Sequence, residues 1–267
     1  MTVHLGTSAQ DRWLRRYQSA VPGTPRLVCF PHAGGSATQY VPLSEALAPA
    51  VDTLAVQYPG HQDRYGEPCV EDLARLADDI CAVLLRGPGS PLALFGHSMG
   101  AVLAWEVASR LERTAGPGSV THLFVSGRRA PSCARAENVH RLDDAALITR
   151  IRRLGGTPPA LVANQQMLRL ILPVLRSDYT AVETHRPDPA LRLTCPLVAL
   201  TGDRDPMVTL EEARRWTTHT TGPAELRVFS GGHFFPEDHL PEIAALISAC
   251  LLPAPHGVRN VPPVSAP

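Results

Sequence analysis

The chain contains no lysine: all 25 basic residues among its 267 are arginine. That absence excludes a P-loop lysine, a Schiff base and a pyridoxal site, each of which needs a side-chain primary amine. Cysteine is present but unpatterned. Cys29, Cys69, Cys81, Cys133, Cys195 and Cys250 are scattered and form no C-x-x-C pair, whereas thiolate metal sites and disulfide frameworks need close, repeated spacing. They read as free thiols in a reducing compartment, with Cys29 and Cys195 inside apolar runs. Net charge is also lacking, since 25 arginines balance 25 acidic residues. No global field therefore draws in nucleic acid or an anionic membrane. No uninterrupted apolar stretch approaches the ~20 residues of a membrane helix. The N-terminal stretch MTVHLGTSAQDRWLRRYQ has neither the apolar core nor the cleavage pattern of a secretory signal. A cytoplasmic location is expected.

What is there is alternation. Apolar runs occur at 26–30 (RLVCF), 54–58 (LAVQY), 92–95, 122–126 and 196–200, with a weaker one at 225–229. Continuous runs of this kind suit strands covered on both faces. Between them, Val70, Leu73, Ala77, Ile80 and Leu84 recur at three- and four-residue steps, and Val102, Trp105, Val107 and Leu111 follow roughly helical spacing. The pattern predicts βαβ units in an α/β fold with a mostly parallel, doubly wound sheet. Residues 131–185 break it. Two helix-like segments, 143–154 and 164–182, are joined through Gly-Gly-Thr-Pro-Pro, and no strand falls between them. This stretch reads as a helical lid insertion over one end of the sheet, with two ordinary crossover helices as the alternative. The expected division is an N-terminal extension (1–24), a core (25–130 and 186–252), the lid (131–185) and a proline-rich tail (253–267) expected to be disordered.

One motif carries chemistry. Gly96-His97-Ser98-Met99-Gly100 fits G-x-S-x-G, with a predicted strand before it and a predicted helix after it. In that context the serine sits on a strained strand-to-helix turn. Neighbouring chains crowd the positions two residues either side, so only small residues fit there. The turn raises the hydroxyl above the sheet, and the helix N-terminus aims free N–H groups at whatever the serine attacks. The motif predicts the chain order serine, acid, histidine. TGDRDPMV supplies Asp203 and Asp205 after one predicted strand, and SGGHFF supplies His233 after the next. His233 is the expected base. Asp205 is preferred as its partner because Gly-x-x-Asp clears the strand end before turning inward; Asp203 is the alternative, with a local turn hydrogen bond as its other role. Two oxyanion donors are expected, the backbone N–H of Met99 and that of Ala33 in the early turn PHAGG. That turn lacks G-x-G-x-x-G spacing and so does not read as a phosphate cradle. His32 reads as a turn-packing residue, and His61 and His97 as structural.

FPHAGGSA, QYPGHQDRYGEP, GHSMGAVLAWEVA, GRRAPS, LGGTPP, TGDRDPMV and GGHFF occur in an order that resembles the type II thioesterases, the discrete editing hydrolases of polyketide synthases and nonribosomal peptide synthetases. The resemblance spans about Arg26 to Leu252. It implies an α/β-hydrolase fold with a helical lid. It implies Ser98 as nucleophile, Asp205 as acid, His233 as base, and Ala33 and Met99 as oxyanion donors. One departure is His61, where similar proteins usually carry arginine after Pro-Gly; this touches a surface or entrance contact, not the chemistry.

The implied job is removal of aberrant or stalled acyl groups from the phosphopantetheine arm of acyl or peptidyl carrier proteins. No metal or cofactor is implied, no nucleic acid or membrane partner is expected, and a monomer is expected. Such an arm needs a channel, for which the lid residues Leu161, Val162, Met167, Leu170 and Ile171 are candidates, with plain lid packing as the alternative. A basic rim for an acidic carrier would draw on Arg128, Arg129, Arg150, Arg152 and Arg153. Rival readings are a general carboxylesterase, a chain-releasing thioesterase and an inactive hydrolase-fold binding module. A chain-releasing enzyme is usually fused to a synthase, whereas this chain is expected to start at its own Met1.

Overall fold

The structure is a computed structural model that describes residues 12–87, 91–133, 135, 137–156 and 164–252. Seven strands form one sheet. They are β1 (Leu14–Arg16), β2 (Arg26–Phe30), β3 (Asp52–Val56), β4 (Leu92–His97), β5 (Val120–Ser126), β6 (Leu197–Gly202) and β7 (Ala224–Phe229), in spatial order β1-β3-β2-β4-β5-β6-β7. Strands β2 to β7 run parallel, and β1 pairs antiparallel with β3, Leu14 opposite Val56. Among the described residues the α-helices are α1 (Val41–Leu47), α2 (Leu73–Leu85), α3 (Met99–Ala115), α4 (Asp144–Leu154), α5 (Gln165–Thr184), α6 (Leu210–Arg214), α7 (Phe235–Asp238) and α8 (Leu240–Leu251).

The unbroken apolar runs have a simple cause. Successive strand side chains point to opposite faces, and here both faces are covered. Leu27, Cys29, Ala93 and Phe95 pack with Leu43 and Leu47 of α1 and Ile243 and Ile247 of α8. Val28, Phe30, Leu92 and Leu94 pack with Leu73 and Ile80 of α2 and Leu103 and Trp105 of α3. The helix expected from Val70 begins at Leu73, because the Asp72 carboxylate caps the N–H groups of Ala74 and Arg75 at 2.9 and 3.1 Å.

Two elements differ from expectation. Strand β3 starts at Asp52 and not at Leu54. Asp52 is a buried polar residue that hydropathy reads as loop, and it is carried into the sheet by ion pairs to Arg16 and Arg26. The N-terminal extension is not merely a tail: Leu14–Arg16 adds the edge strand, Leu14 is buried, and Arg64 lies 4.5 Å over the Trp13 ring. The tail 253–267 lies outside the described residues.

Helices α4 and α5 occur between β5 and β6. Leu147 and Ile151 of α4 pack against Leu175 of α5 and against Val139. The sheet order fixes where a site can form. From β2 the chain goes to β3 on one side, then crosses to β4 on the other. The segments after β2 and β4 therefore diverge and open a crevice at the strand C-terminal ends.

Leu14 tests the edge strand. Leu14→Ala should cost about 2 kcal/mol in urea unfolding, as a buried leucine truncation does; an unchanged midpoint would show that the strand adds nothing to the core.

Candidate active site

Ser98 stands where β4 becomes α3, with φ 55° and ψ −116°, a conformation L-residues rarely adopt. The flanking glycines are there for space. A Cβ on Gly96 would lie 2.0 Å from the Gly100 carbonyl oxygen, and one on Gly100 would lie 2.0 Å from that of Phe30. Ser98 holds the N-cap position of α3, yet its side chain caps nothing. Its Oγ lies 3.1 Å from His233 Nε2 instead.

His233 follows β7, and its Nδ1 lies 2.9 Å from Asp205 Oδ2. Asp205 follows β6, and its Oδ1 accepts the Met207 N–H at 2.8 Å. A carboxylate only accepts, so Nδ1 carries the proton and Nε2 is left to accept from the serine hydroxyl. The side chains of His233 and Asp205 are 4% and 0% exposed, so water competes little for either bond. Asp203 is exposed and accepts the Gly231 N–H at 2.8 Å, a link between two loops that does not reach the histidine. Three strand ends thus bring together a hydroxyl, an imidazole and a carboxylate in a line suited to nucleophilic attack with proton transfer.

Two N–H groups, those of Met99 and Ala33, have no hydrogen-bond partner among the described residues. Met99 N–H belongs to the first turn of α3. In the turn after β2, Gly34 N–H donates to Asp178 and Gly35 N–H to the His32 carbonyl, which leaves Ala33 N–H free.

Other histidines crowd the centre. His97 is buried, with Nδ1 3.0 Å from Ser126 Oγ and Nε2 unpartnered. Burial, then the nearness of His233 and His32, holds its pKa well below the ordinary imidazole value, so it stays neutral. His32 is likewise lowered, chiefly by burial; its Nδ1 bonds the Ala33 carbonyl at 2.9 Å and its ring meets Phe234 edge-on at 5.0 Å. His61 corrects the sequence reading of a surface or entrance contact. It is 4% exposed, and its Nε2 lies 2.9 Å from Asp178 of α5. Nothing in the local sequence signals that partner, which is 117 residues away.

The channel and rim candidates fare unevenly. Leu161 and Val162 lie outside the described residues, and Met167 is half-buried on α5. Leu170 is 64% exposed, on the outer face of that helix. Ile171 packs against the buried cluster of Val139, Leu147, Ile151 and Leu175. Arg129 is no rim residue: it is buried and paired with Glu137 at 2.8 Å. Arg128 lines a cavity of about 470 Å³ beside Val102, Glu137 and Glu183, and burial with the Arg129 charge pushes its pKa down to about 10. Arg150 turns inward to Met207, while Arg152 and Arg153 are exposed.

Residues 25–251 match the Thioesterase domain family, and the chain belongs to it, as a thioester hydrolase with a mostly parallel α/β sheet. Two curated relatives agree over most of the chain. The probable cadicidin biosynthesis thioesterase of Streptomyces griseus is 51% identical over 251 residues, which cover 92% of this chain and 69% of the relative. Thioesterase PikA5 of Streptomyces venezuelae is 49% identical over 241 residues, covering 90% and 85%. The solved structure of the type II thioesterase BorB from the borrelidin biosynthetic cluster superposes with a TM-score of 0.84 at 48% identity, covering 90% of this chain and 98% of BorB. That structure has the α/β-hydrolase fold, and so does this chain.

Two outcomes follow from this geometry. Gly100→Ala forces a Cβ against the Phe30 carbonyl and must displace the turn that carries Ala33. It should lower kcat by about 10²-fold, the scale of a lost oxyanion donor, and a kinetic assay showing wild-type kcat would refute the crowding. Stability should also fall on acidification. His32, His97, His122 and His219 all have pKa values lowered by burial. Below about pH 6.5 the unfolded chain takes up protons there that the folded one does not. His61, raised, acts in the opposite sense, but four groups oppose one. A melting temperature that drops between about pH 7 and pH 5, with the drop reduced in His122→Gln, is the expected result.

Proposed function

We propose that this thioester hydrolase clears aberrant or stalled acyl groups from the phosphopantetheine arm of acyl or peptidyl carrier proteins in polyketide or nonribosomal peptide biosynthesis. Ser98 is the nucleophile, His233 the general base and then acid, and Asp205 the residue that holds the imidazole tautomer and balances the imidazolium. The Ala33 and Met99 N–H groups form the oxyanion site. The observation that carries this reading is the continuous Ser98–His233–Asp205 hydrogen-bond line beside those two free N–H groups. Close identity to biosynthetic thioesterases supports the choice of substrate.

The chemistry suits a thioester. Ser98 Oγ attacks the carbonyl carbon as its proton passes to His233 Nε2. The tetrahedral oxyanion rests on the two N–H groups, and as the C–S bond breaks His233 passes the proton from Nε2 to the departing sulfur, which returns the imidazole to its neutral form. A thiol has a pKa near ~8.5, so the thiolate departs far more readily than an amide nitrogen. Water then attacks the acyl-enzyme, giving its proton to His233, and the free acid leaves as Ser98 regains its hydrogen. All the groups come from one chain, so a monomer suffices. Helices α4 and α5 act as the lid over the crevice, and the arm threads beneath it. Six cysteines without disulfide bonds accord with a reducing cytoplasm.

Hydrolysis of acetyl- and propionyl-loaded carrier protein tests this directly. Wild type should free the arm, and Ser98→Ala should lose on the order of 10⁶ in kcat. Activity confined to simple oxygen esters would mean a carboxylesterase. Inertness on every loaded carrier, together with no labelling by a serine-directed phosphonate, would mean a binding module.

A further inference from the structure

A second buried carboxylate and imidazole lie beside the site and take no part in the steps above. Asp178 of α5 is 3% exposed, and its Oδ2 accepts the Gly34 N–H at 2.7 Å while facing His61 Nε2 at 2.9 Å. The other ring nitrogen of His61, Nδ1, faces the Pro59 carbonyl at 2.9 Å. Carbonyl and carboxylate oxygens only accept, so both ring nitrogens donate and His61 is an imidazolium. Burial opposes that charge, but the Asp178 carboxylate outweighs burial, by its charge and its hydrogen bond, and raises the pKa above the ordinary value. The remaining groups around the pair are Arg64, His32, Cys69 and the Tyr58 ring, edge-on at 5.4 Å.

A buried ion pair is weak evidence for stability, since desolvation offsets its attraction. What this one fixes is geometry. The Ala33–Gly34 peptide is held at both ends, its carbonyl by the His32 ring at 2.9 Å and its N–H by Asp178 at 2.7 Å. With that plane fixed, Ala33 has little freedom to swing its own N–H away from the crevice. Leu175, one helical turn before Asp178, closes on the same turn: a Cβ on Gly34 would lie 2.5 Å from Leu175 Cδ2. The other ties on this turn come from the body. Tyr58 Oη donates to the Pro31 carbonyl at 3.0 Å, Tyr40 Oη to that of Phe30 at 2.7 Å, and the Ala37 N–H donates to Gln57 Oε1 at 2.9 Å. Among the described residues, Asp178 supplies the one polar tie on this turn that originates in the helical segment between β5 and β6.

We propose that Asp178, charged against the His61 imidazolium, is a positioning residue for the Ala33 N–H, so that seating of α5 on the body and formation of the oxyanion site are one event. Any movement that lifts α5 to admit an acyl arm withdraws the carboxylate from Gly34 and disables the hole until the helix returns. Attack is thereby confined to the seated state, in which water is also most excluded. The proposal rests on the Ser98 reading given above.

Kinetics with an acyl thioester of N-acetylcysteamine test it, alongside the affinity of an acyl trifluoromethyl ketone whose adduct with Ser98 carries the oxyanion. Asp178→Ala should lose between about 10- and 10²-fold in kcat, within the range of a lost oxyanion donor. Its KM should stay within about twofold, and ketone affinity should fall by the same factor as kcat. Asp178→Asn keeps the size and an acceptor for Gly34 N–H, so both of its losses should be smaller than those of alanine. A folded Asp178→Ala with wild-type kcat and wild-type ketone affinity would overturn the proposal. So would a loss confined to KM or to melting temperature, which a merely structural residue would give. If the alanine variant does not fold, Asp178→Asn decides alone: a paired several-fold loss of kcat and ketone affinity supports the proposal, and wild-type values of both overturn it. Failure of the broader reading looks different. A wild type silent on thioesters would sink the substrate, while the ketone affinities would still rank the Asp178 variants.

Discussion

A helix that begins directly after a buried strand, on the G-x-S-x-G turn, bends the chain so sharply that one residue takes a backbone conformation side chains normally avoid. Here that residue is Ser98, at φ 55°, and the surrounding packing is arranged to tolerate it. Glycine at 96 and 100 allows the start of α3 to lie against its own strand and against the carbonyl of Phe30. Because those contacts are backbone to backbone, the serine and the turn after β2 are held at a fixed separation. The Ser98 hydroxyl and the Ala33 and Met99 N–H groups, which we propose as the oxyanion donors, are therefore positioned by backbone packing, without help from long, mobile side chains. Such preorganisation is what makes hydrogen-bond donors effective against charge that develops only in the transition state.

The electrostatics follow from dryness. His233 and Asp205 are almost wholly shielded from solvent, so their hydrogen bond is strong and directional. His97 packs behind with its ring centroid 5.0 Å from that of His233, and burial keeps it uncharged. A cation at that position would oppose the imidazolium that the proposed mechanism forms at His233. The neutral neighbour fills space and adds no charge beside His233.

The second acid–imidazole pair is built to a different end. His61 is held as a cation by acceptors on both sides, whereas His233 is kept with one nitrogen open to accept. The same two residue types give a static clamp in one place and a proton acceptor in the other. The difference is set by what lies opposite the second ring nitrogen: a carbonyl for His61, a hydroxyl for His233. The clamp joins three chain segments, the turns after β2 and β3 and the helix α5.

Much of this was legible in the chain itself. Runs of apolar residues marked β2 to β6, because a strand covered on both faces has few polar positions, while the largely exposed β7 gave only a weaker run. The spacing of Gly96, Ser98 and Gly100 marked the turn, because backbone crowding dictates residue size locally. The order Ser98, Asp205, His233 came from the motif, and strand ends gathering on one side of a parallel sheet put the three within reach of one another. What failed was polar or distant. Asp52 hid the start of β3 because its burial depends on Arg16 and Arg26, and Leu14–Arg16 was too short to show a period. The exposure of Leu170 was not legible either, because apolar character does not say which way a helix face turns. Local sequence determined the strands, the strained turn and the chemistry on offer, since each is set by neighbours within a few residues. Only the tertiary structure decided that His61 meets Asp178 and that Asp178 meets Gly34. Those contacts join residues 117 and 144 positions apart, and no pattern along the chain encodes which buried charge will face which.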